Sequence, residues 1–155
     1  MINSNVVVIG GGAAGLLCAI EAGKRGRSVT LIEHEEKIGK KILISGGGRC
    51  NFTNKSSSPD NFISGNPHFC KSALANYTPE NFTKMVEDYN ISYHEKKLGQ
   101  LFCDNTSKQI VSMLEKQCRE NNVNIITTCK VDKITRNSSF ELESSIGEIK
   151  CENLV

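Results

Sequence analysis

The run Val6-Val7-Val8-Ile9 leads directly into Gly10-x-Gly12-x-x-Gly15, and this junction limits the fold more than any other stretch of the chain. A short, continuous apolar run rich in β-branched residues reads as a parallel strand buried on both faces. The spacing predicts a helix from about Ala13 to Arg25, with Ala13, Leu16, Leu17 and Ile20 turned to a sheet and Gly26 as its stop. Ser28 to Ile32 reads as a second strand. Strand, glycine turn, helix and strand make a βαβ unit.

In such a unit each glycine has its own task. Gly10 lets the chain turn tightly out of the strand, Gly12 lets backbone approach a pyrophosphate, and Gly15 lets the helix pack against the strand. The helix N-terminus, at Ala13 and Ala14, offers N–H groups and a positive dipole end to phosphate. Glu33 lies 18 residues after Gly15, at the end of the second strand. A carboxylate there accepts hydrogen bonds from ribose hydroxyls and would repel the 2′-phosphate of NADP. The competing reading is a glycine turn in an unrelated α/β domain. The strand, the helix and the acidic residue all fall where dinucleotide binding needs them.

A second glycine cluster follows in Ser45-Gly46-Gly47-Gly48-Arg49-Cys50-Asn51-Phe52-Thr53-Asn54. Three glycines permit positive φ and close contact with a ligand. Arg49 and Asn51 bring hydrogen-bonding groups suited to phosphate or flavin ring atoms. A plain linker would repeat Gly and Ser rather than group Arg, Cys and Asn so tightly. Cys50 has no second cysteine at the short spacing of a dithiol relay, since the next is Cys70. It reads as a small, polarizable wall rather than a nucleophile.

The rest of the chain reads as one α/β assembly. Glu33 to Asn54 is expected as a long loop. Helices are expected from Asn66-Pro67, with Phe69, Ala73 and Leu74 on one side, and from Thr78-Pro79, with Phe82, Met85, Val86 and Tyr89 on one side. Residues 92–103 read as short strands around Leu98-Gly99, so 52–103 forms an inserted helical and short-strand segment. Thr106 to Gln109 reads as a capping box, and the helix after it presents Ile110, Val111, Leu114 and Cys118. Residues 124–129 read as a core strand, 131–136 and 139–143 as a hairpin, and 149–155 as a last strand.

Composition narrows the function classes. The 19 basic and 17 acidic residues leave a formal charge of +2, and only Lys37, Lys40, Lys41 and Arg49 cluster. No basic stripe of a nucleic-acid binder stands out, and no nucleic-acid partner is expected. Seven cysteines lack any Cys-x-x-Cys pair, so no zinc site is expected. Their odd number, with no secretory signal, reads as reduced thiols in a cytoplasmic protein. No apolar run is long enough to span a membrane. His34, His68 and His94 form no ligand or triad pattern, and no residue is assigned as a catalytic acid or base.

The glycine start, together with Lys37-Ile38-Gly39-Lys40-Lys41, the Ser45 to Asn54 segment and Leu98 to Cys103, resembles the BaiN-like, aminoacetone-oxidase-type flavoproteins. The resemblance spans the whole chain and is most specific at Ser45 to Asn51. It implies a Rossmann-like FAD-binding fold, with a parallel sheet, a βαβ start and a small antiparallel hairpin layer. It further implies FAD held by Gly10, Gly12, Ala13, Ala14, Gly15, Glu33, His34, Lys40, Lys41, Ser45, Gly46, Gly47, Arg49, Cys50 and Asn51. Val131 would touch the adenine through its backbone. Members of the family are more than twice this length. The resemblance therefore implies a truncated chain, residues 1–155, without the substrate domain.

The expected function is the FAD-binding N-terminal segment of an oxidoreductase. In the complete enzyme its flavin would take hydride from a small-molecule substrate or from NAD(P)H. Two alternatives remain at this level. One is a non-catalytic or split-gene fragment that pairs with a separate C-terminal half. The other is an NAD-binding dehydrogenase domain, for which the loop from Gly39 to Asn54 is too long.

Overall fold

The computed structural model describes residues 1–155. The chain divides into two compact units, residues 1–42 with 111–155, and residues 43–110. The expected inserted segment, 52–103, falls inside the second unit.

The first unit is a six-stranded sheet. Its strands are β1 (Ile2–Ile9), β2 (Val29–Ile32), β6 (Val123–Ile126), β7 (Val131–Arg136), β8 (Phe140–Ser144) and β9 (Gly147–Leu154), in the order β6-β2-β1-β9-β8-β7. β1 pairs in parallel with both β2 and β9, and β2 in parallel with β6. Central parallel strands are covered on both faces, which is why Val6, Val7 and Val8 and all four residues of β2 are buried. The hairpin β7–β8 continues the same sheet, because β8 pairs antiparallel with β9. The fold class is the expected mixed α/β, Rossmann-like one.

Helix α1 (Ala13–Lys24) buries Leu16, Ala19 and Ile20, which share one face at helical spacing. A cluster of Val7, Ile32, Cys129, Leu142, Ile149 and Cys151 forms part of the core of the first unit. Helix α5 (Lys108–Glu120) buries Ile110, Met113, Leu114 and Cys118. Met113 completes the stripe that the sequence assigned to Val111, and Val111 is only half-buried.

The expected strand over 124–129 leaves the ladder after Ile126. Its partner β2 ends at Ile32, and the chain turns so that Thr128 N donates to Glu35 O (2.9 Å) and Cys129 N to Glu33 O (2.9 Å). These two bonds carry the backbone pairing past the end of the strands.

In the second unit, β3 (Asn51–Asn54), β4 (Tyr93–Glu95) and β5 (Gln100–Cys103) form an antiparallel sheet in the order β3-β5-β4. Helix α4 (Pro79–Asp88) starts with a reciprocal cap, in which Thr78 N donates to Asn81 Oδ1 (2.8 Å) and Asn81 N to Thr78 Oγ1 (3.4 Å). Phe52 packs on Phe82 and edge-on to Tyr93, with ring centroids 6.0 and 5.5 Å apart.

Two local expectations are corrected. Glu33 to Asn54 is not one loop, since it holds α2 (Lys40–Ile44), a tight turn over Ser45–Gly48 with left-handed glycines, and β3. The helix expected from Asn66-Pro67 begins later, as α3 (Lys71–Asn76). Asn66 Oδ1 takes the N–H of His68 (3.0 Å), which holds this stretch as a turn, and Phe69 stays exposed instead of joining an apolar face.

Truncation of Ile20, fully buried on the inner face of α1, to alanine should cost about 2–5 kcal/mol. Ile134→Ala, on the open face of β7, should stay within about 0.5 kcal/mol of the parent. Urea denaturation of the two variants checks the difference.

Candidate functional site

The first cluster forms where β1 ends. Gly10 has φ +109°, a conformation that L side chains rarely adopt, and its N–H donates to Ile32 O (2.7 Å). A Cβ at Gly15 would stand 2.0 Å from Gly10 O, so the start of α1 and the end of β1 touch where no side chain fits.

Gly12 differs from both. Its backbone is extended (φ −82°, ψ −178°) and a Cβ there would meet nothing within 4 Å. Neither packing nor backbone conformation asks for glycine at this position. A group lying against the turn would, and a pyrophosphate is such a group. The adjoining end of α1 has no side-chain cap and no acidic residue in its first turn. Ala13 and Ala14 there are exposed. The first-turn N–H groups and the positive end of the helix dipole therefore face open space.

Glu33 sits at the end of β2 with only 8% of its surface exposed. Its Oε2 accepts from Gly11 N (2.8 Å), and its Oε1 accepts from Glu35 N (2.9 Å) and lies 2.9 Å from His34 Nδ1. The carboxylate thus clamps the glycine turn to the second strand. A carboxylate has about four lone-pair sites, so acceptor capacity remains for ribose hydroxyls. This clamp was not legible in the sequence, where Glu33 reads only as a ligand residue.

Around this pair, His34 is exposed beside two carboxylates. Lys40 is paired with Glu35 and holds that carboxyl below its usual range. Lys41 is exposed on α2. Val131 opens β7, the outer strand of the sheet, where alternate backbone groups carry no ladder partner. These residues, with the glycine turn, fit the ADP half of a dinucleotide.

The second cluster is the glycine loop of the other unit. Gly46, Gly47 and Gly48 have φ of +58°, +66° and +84°, and a Cβ at Gly46 would stand 2.7 Å from the Phe102 ring. The loop is tied down by Cys50 N to Ser45 O (3.1 Å), Ser107 N to Gly48 O (2.8 Å) and Cys103 N to Arg49 O (3.0 Å). Arg49 is exposed and has no carboxylate partner. The Asn51 amide nitrogen, in the orientation its neighbours require, donates to Thr53 O (3.0 Å) and Leu101 O (3.2 Å). Its carbonyl oxygen is the end left for a ligand.

All seven cysteines are free thiols. Cys50 is buried, and burial pushes its thiol above the ordinary value. Cys103 is pushed up to about 11, mainly by burial and then by the charge of Cys50. A raised thiol is protonated at neutral pH, which agrees with reading Cys50 as a wall rather than a nucleophile. Two further residues come together that the sequence left apart. His94 Nδ1 lies 2.7 Å from Asp104 Oδ1, because the β4–β5 hairpin brings positions ten apart side by side. No group of three or more His, Cys, Asp or Glu side chains stands as a metal site. No helix is long and apolar enough to cross a membrane.

Residues 4–155 match the family described as the HI0933-like protein Rossmann domain, and the chain belongs to that family. It is 45% identical over 157 residues to the ribosomal RNA dihydrouridine synthase of Haemophilus influenzae, covering 98% of this chain and 39% of that protein. The protein of the same name from Escherichia coli is 46% identical, covering 97% of this chain and 38% of the relative. A 3-dehydro-bile acid delta(4,6)-reductase from Clostridium scindens is 28% identical over 84% of this chain and 32% of its own length. The chain therefore spans about two fifths or less of the curated relatives it matches. Among solved structures, a 3-ketosteroid dehydrogenase from Rhodococcus jostii shares the fold with a TM-score of 0.69 at 14% identity, covering 99% of this chain and 45% of that one.

Two substitutions separate a ligand-facing glycine from a structural one. Gly12→Val should leave the urea midpoint close to the parent but prevent retention of FAD. Gly15→Ala should lower the midpoint, because its methyl group meets a backbone oxygen. In a second test, a chromogenic disulfide reagent at neutral pH should leave Cys50, Cys103 and Cys118 unmodified until denaturant is added.

Proposed function

We propose that this chain binds FAD and supplies the cofactor-binding part of a flavin-dependent reductase whose substrate is a uridine in ribosomal RNA. The observation that carries the FAD reading is the open space at Gly12 beside an uncapped helix start, with Glu33 fixed at the end of β2. The substrate class is drawn from the two relatives at 45% and 46% identity.

In this proposal the first-turn N–H groups of α1 hold the pyrophosphate, and the backbone at Gly12 lets it approach. Glu33 accepts the adenosine ribose hydroxyls while keeping its bond to Gly11 N. That prior bond holds the carboxylate in place before ligand arrives, so little side-chain freedom is lost on binding. Val131 offers backbone groups to adenine. Ser45, Gly46, Gly47, Arg49, Cys50 and Asn51 are assigned to the flavin end, where a buried, protonated Cys50 excludes water and Arg49 offers a positive charge. When bound, FAD supplies the capacity to accept and donate hydride. The overall reaction is uridine, NAD(P)H and a proton giving dihydrouridine and NAD(P)+. Catalysis is proposed for the chain together with the part of the relatives that lies outside the match.

The expectation of no nucleic-acid partner is set aside here. A formal charge of +2 argues against a strongly basic surface, but not against a few local phosphate contacts. A small-molecule enone substrate, in line with the relative at 28% identity, is the second reading.

The test has two stages. Purified chain, incubated with FAD and desalted, should keep flavin absorbance in stoichiometric amount. The loaded chain, with NAD(P)H and ribosomal RNA lacking dihydrouridine, should add the mass of one H2 to a uridine, at the latest when the C-terminal segment of the Escherichia coli relative is supplied. Retained flavin with no such product in either case would remove the RNA assignment and leave FAD binding intact.

A further inference from the structure

We propose that the β4–β5 hairpin of the second unit is a contact site for single-stranded RNA, with Lys96 and Lys97 on phosphates and His94 under a base. This rests on the ribosomal RNA reading above and adds to it a surface that the glycine clusters do not include.

At the hairpin the two lysines are the cations left without a carboxylate partner. Glu95 is ion-paired with Lys55 (2.6 Å), and Asp104 Oδ1 is hydrogen-bonded to His94 Nδ1 (2.7 Å). Lys96 and Lys97 are exposed and have no carboxylate within ion-pairing distance. Lys96 places its ammonium 4.1 Å from the centre of the Phe102 ring, so the aromatic face holds the charge itself in position. Together with Gln100, the two lysines line an open groove of about 510 Å3, within the size range of small-ligand sites.

His94 is held as an aromatic platform. Its ring lies nearly parallel to Phe102, 20° between planes with centroids 6.3 Å apart, and Asp104 fixes its rotation through Nδ1. The side chain is 37% exposed and Nε2 has no protein partner. A fixed ring beside unpaired cations is the arrangement that recognises unstacked bases in RNA.

The tip between these residues is pinned in an unusual backbone state. Leu98 has φ +59° although it carries a side chain, and that side chain is 87% exposed. Asn54 Nδ2 donates to Leu98 O (2.9 Å), Lys55 N to Gly99 O (2.9 Å), and Lys96 N to Gln100 O (2.8 Å). Left-handed backbone at a non-glycine residue persists where surrounding bonds impose it, and such positions cluster at ligand contacts.

Fluorescence anisotropy of the whole chain with a labelled oligouridylate tests this across a range of salt. The parent should bind. Lys96→Ala with Lys97→Ala should weaken binding about tenfold or more at low salt and flatten the log–log salt dependence by about 1.4, about 0.7 per phosphate contact. His94→Ala should weaken binding without changing that slope, and His94→Phe should restore it. Lys133→Ala, in an ion pair on β7, should change nothing. No binding by the parent, hairpin variants that bind like the parent, or an equal loss in Lys133→Ala would overturn the proposal. RNA binding through the hairpin without dihydrouridine formation would instead remove the catalytic reading and keep this site. Dihydrouridine formed equally by the hairpin variants would do the reverse.

Discussion

The first unit depends on one contact that excludes every side chain, the approach of Gly15 to the carbonyl oxygen of Gly10. It brings the start of α1 against the end of β1, and so aims the helix N-terminus at the turn. β1 is the centre of the parallel sheet, paired on both sides, and carries little freedom to shift. The helix is held by Leu16, Ala19 and Ile20. Position and direction of the helix N-terminus therefore follow from core packing.

Glu33 holds the same turn from the second strand. Its backbone continues the pairing of β2 with the chain at Ile126 and Cys129, and its carboxylate caps Gly11. An amide donating to a carboxylate is a charge-assisted bond, stronger than a neutral one. Loss of this carboxylate would thus loosen the turn itself. The relatives that match this chain are named for different reactions, so the fold alone does not determine the reaction.

The βαβ start was legible because each local signal agreed: β-branched run, glycine spacing, helical stripe and an acidic residue at the strand end. The Thr78-Pro79 helix start and the 131–144 hairpin were legible for the same reason, since caps and turns are local. The positive φ of Gly46 to Gly48 was legible too, but their turn was not, since bonds from Cys50, Cys103 and Ser107 fix it. His94 and Asp104 were separated by ten residues and met through strand pairing, which no short pattern in the chain announces. Cys103 became a neighbour of Cys50 by the same kind of long-range pairing. The error at Asn66-Pro67 was of another kind, a turn signal mistaken for a helix start because Asn serves both.

The central claim is that the glycine turn and Glu33 recognise the ADP half of FAD. Calorimetric titration of the chain with FAD, ADP and FMN tests it most directly. The account predicts that FAD binds, that ADP competes with it, and that FMN, which lacks the adenosine phosphate half, binds far more weakly. FMN binding as well as FAD, with no competition from ADP, would contradict it.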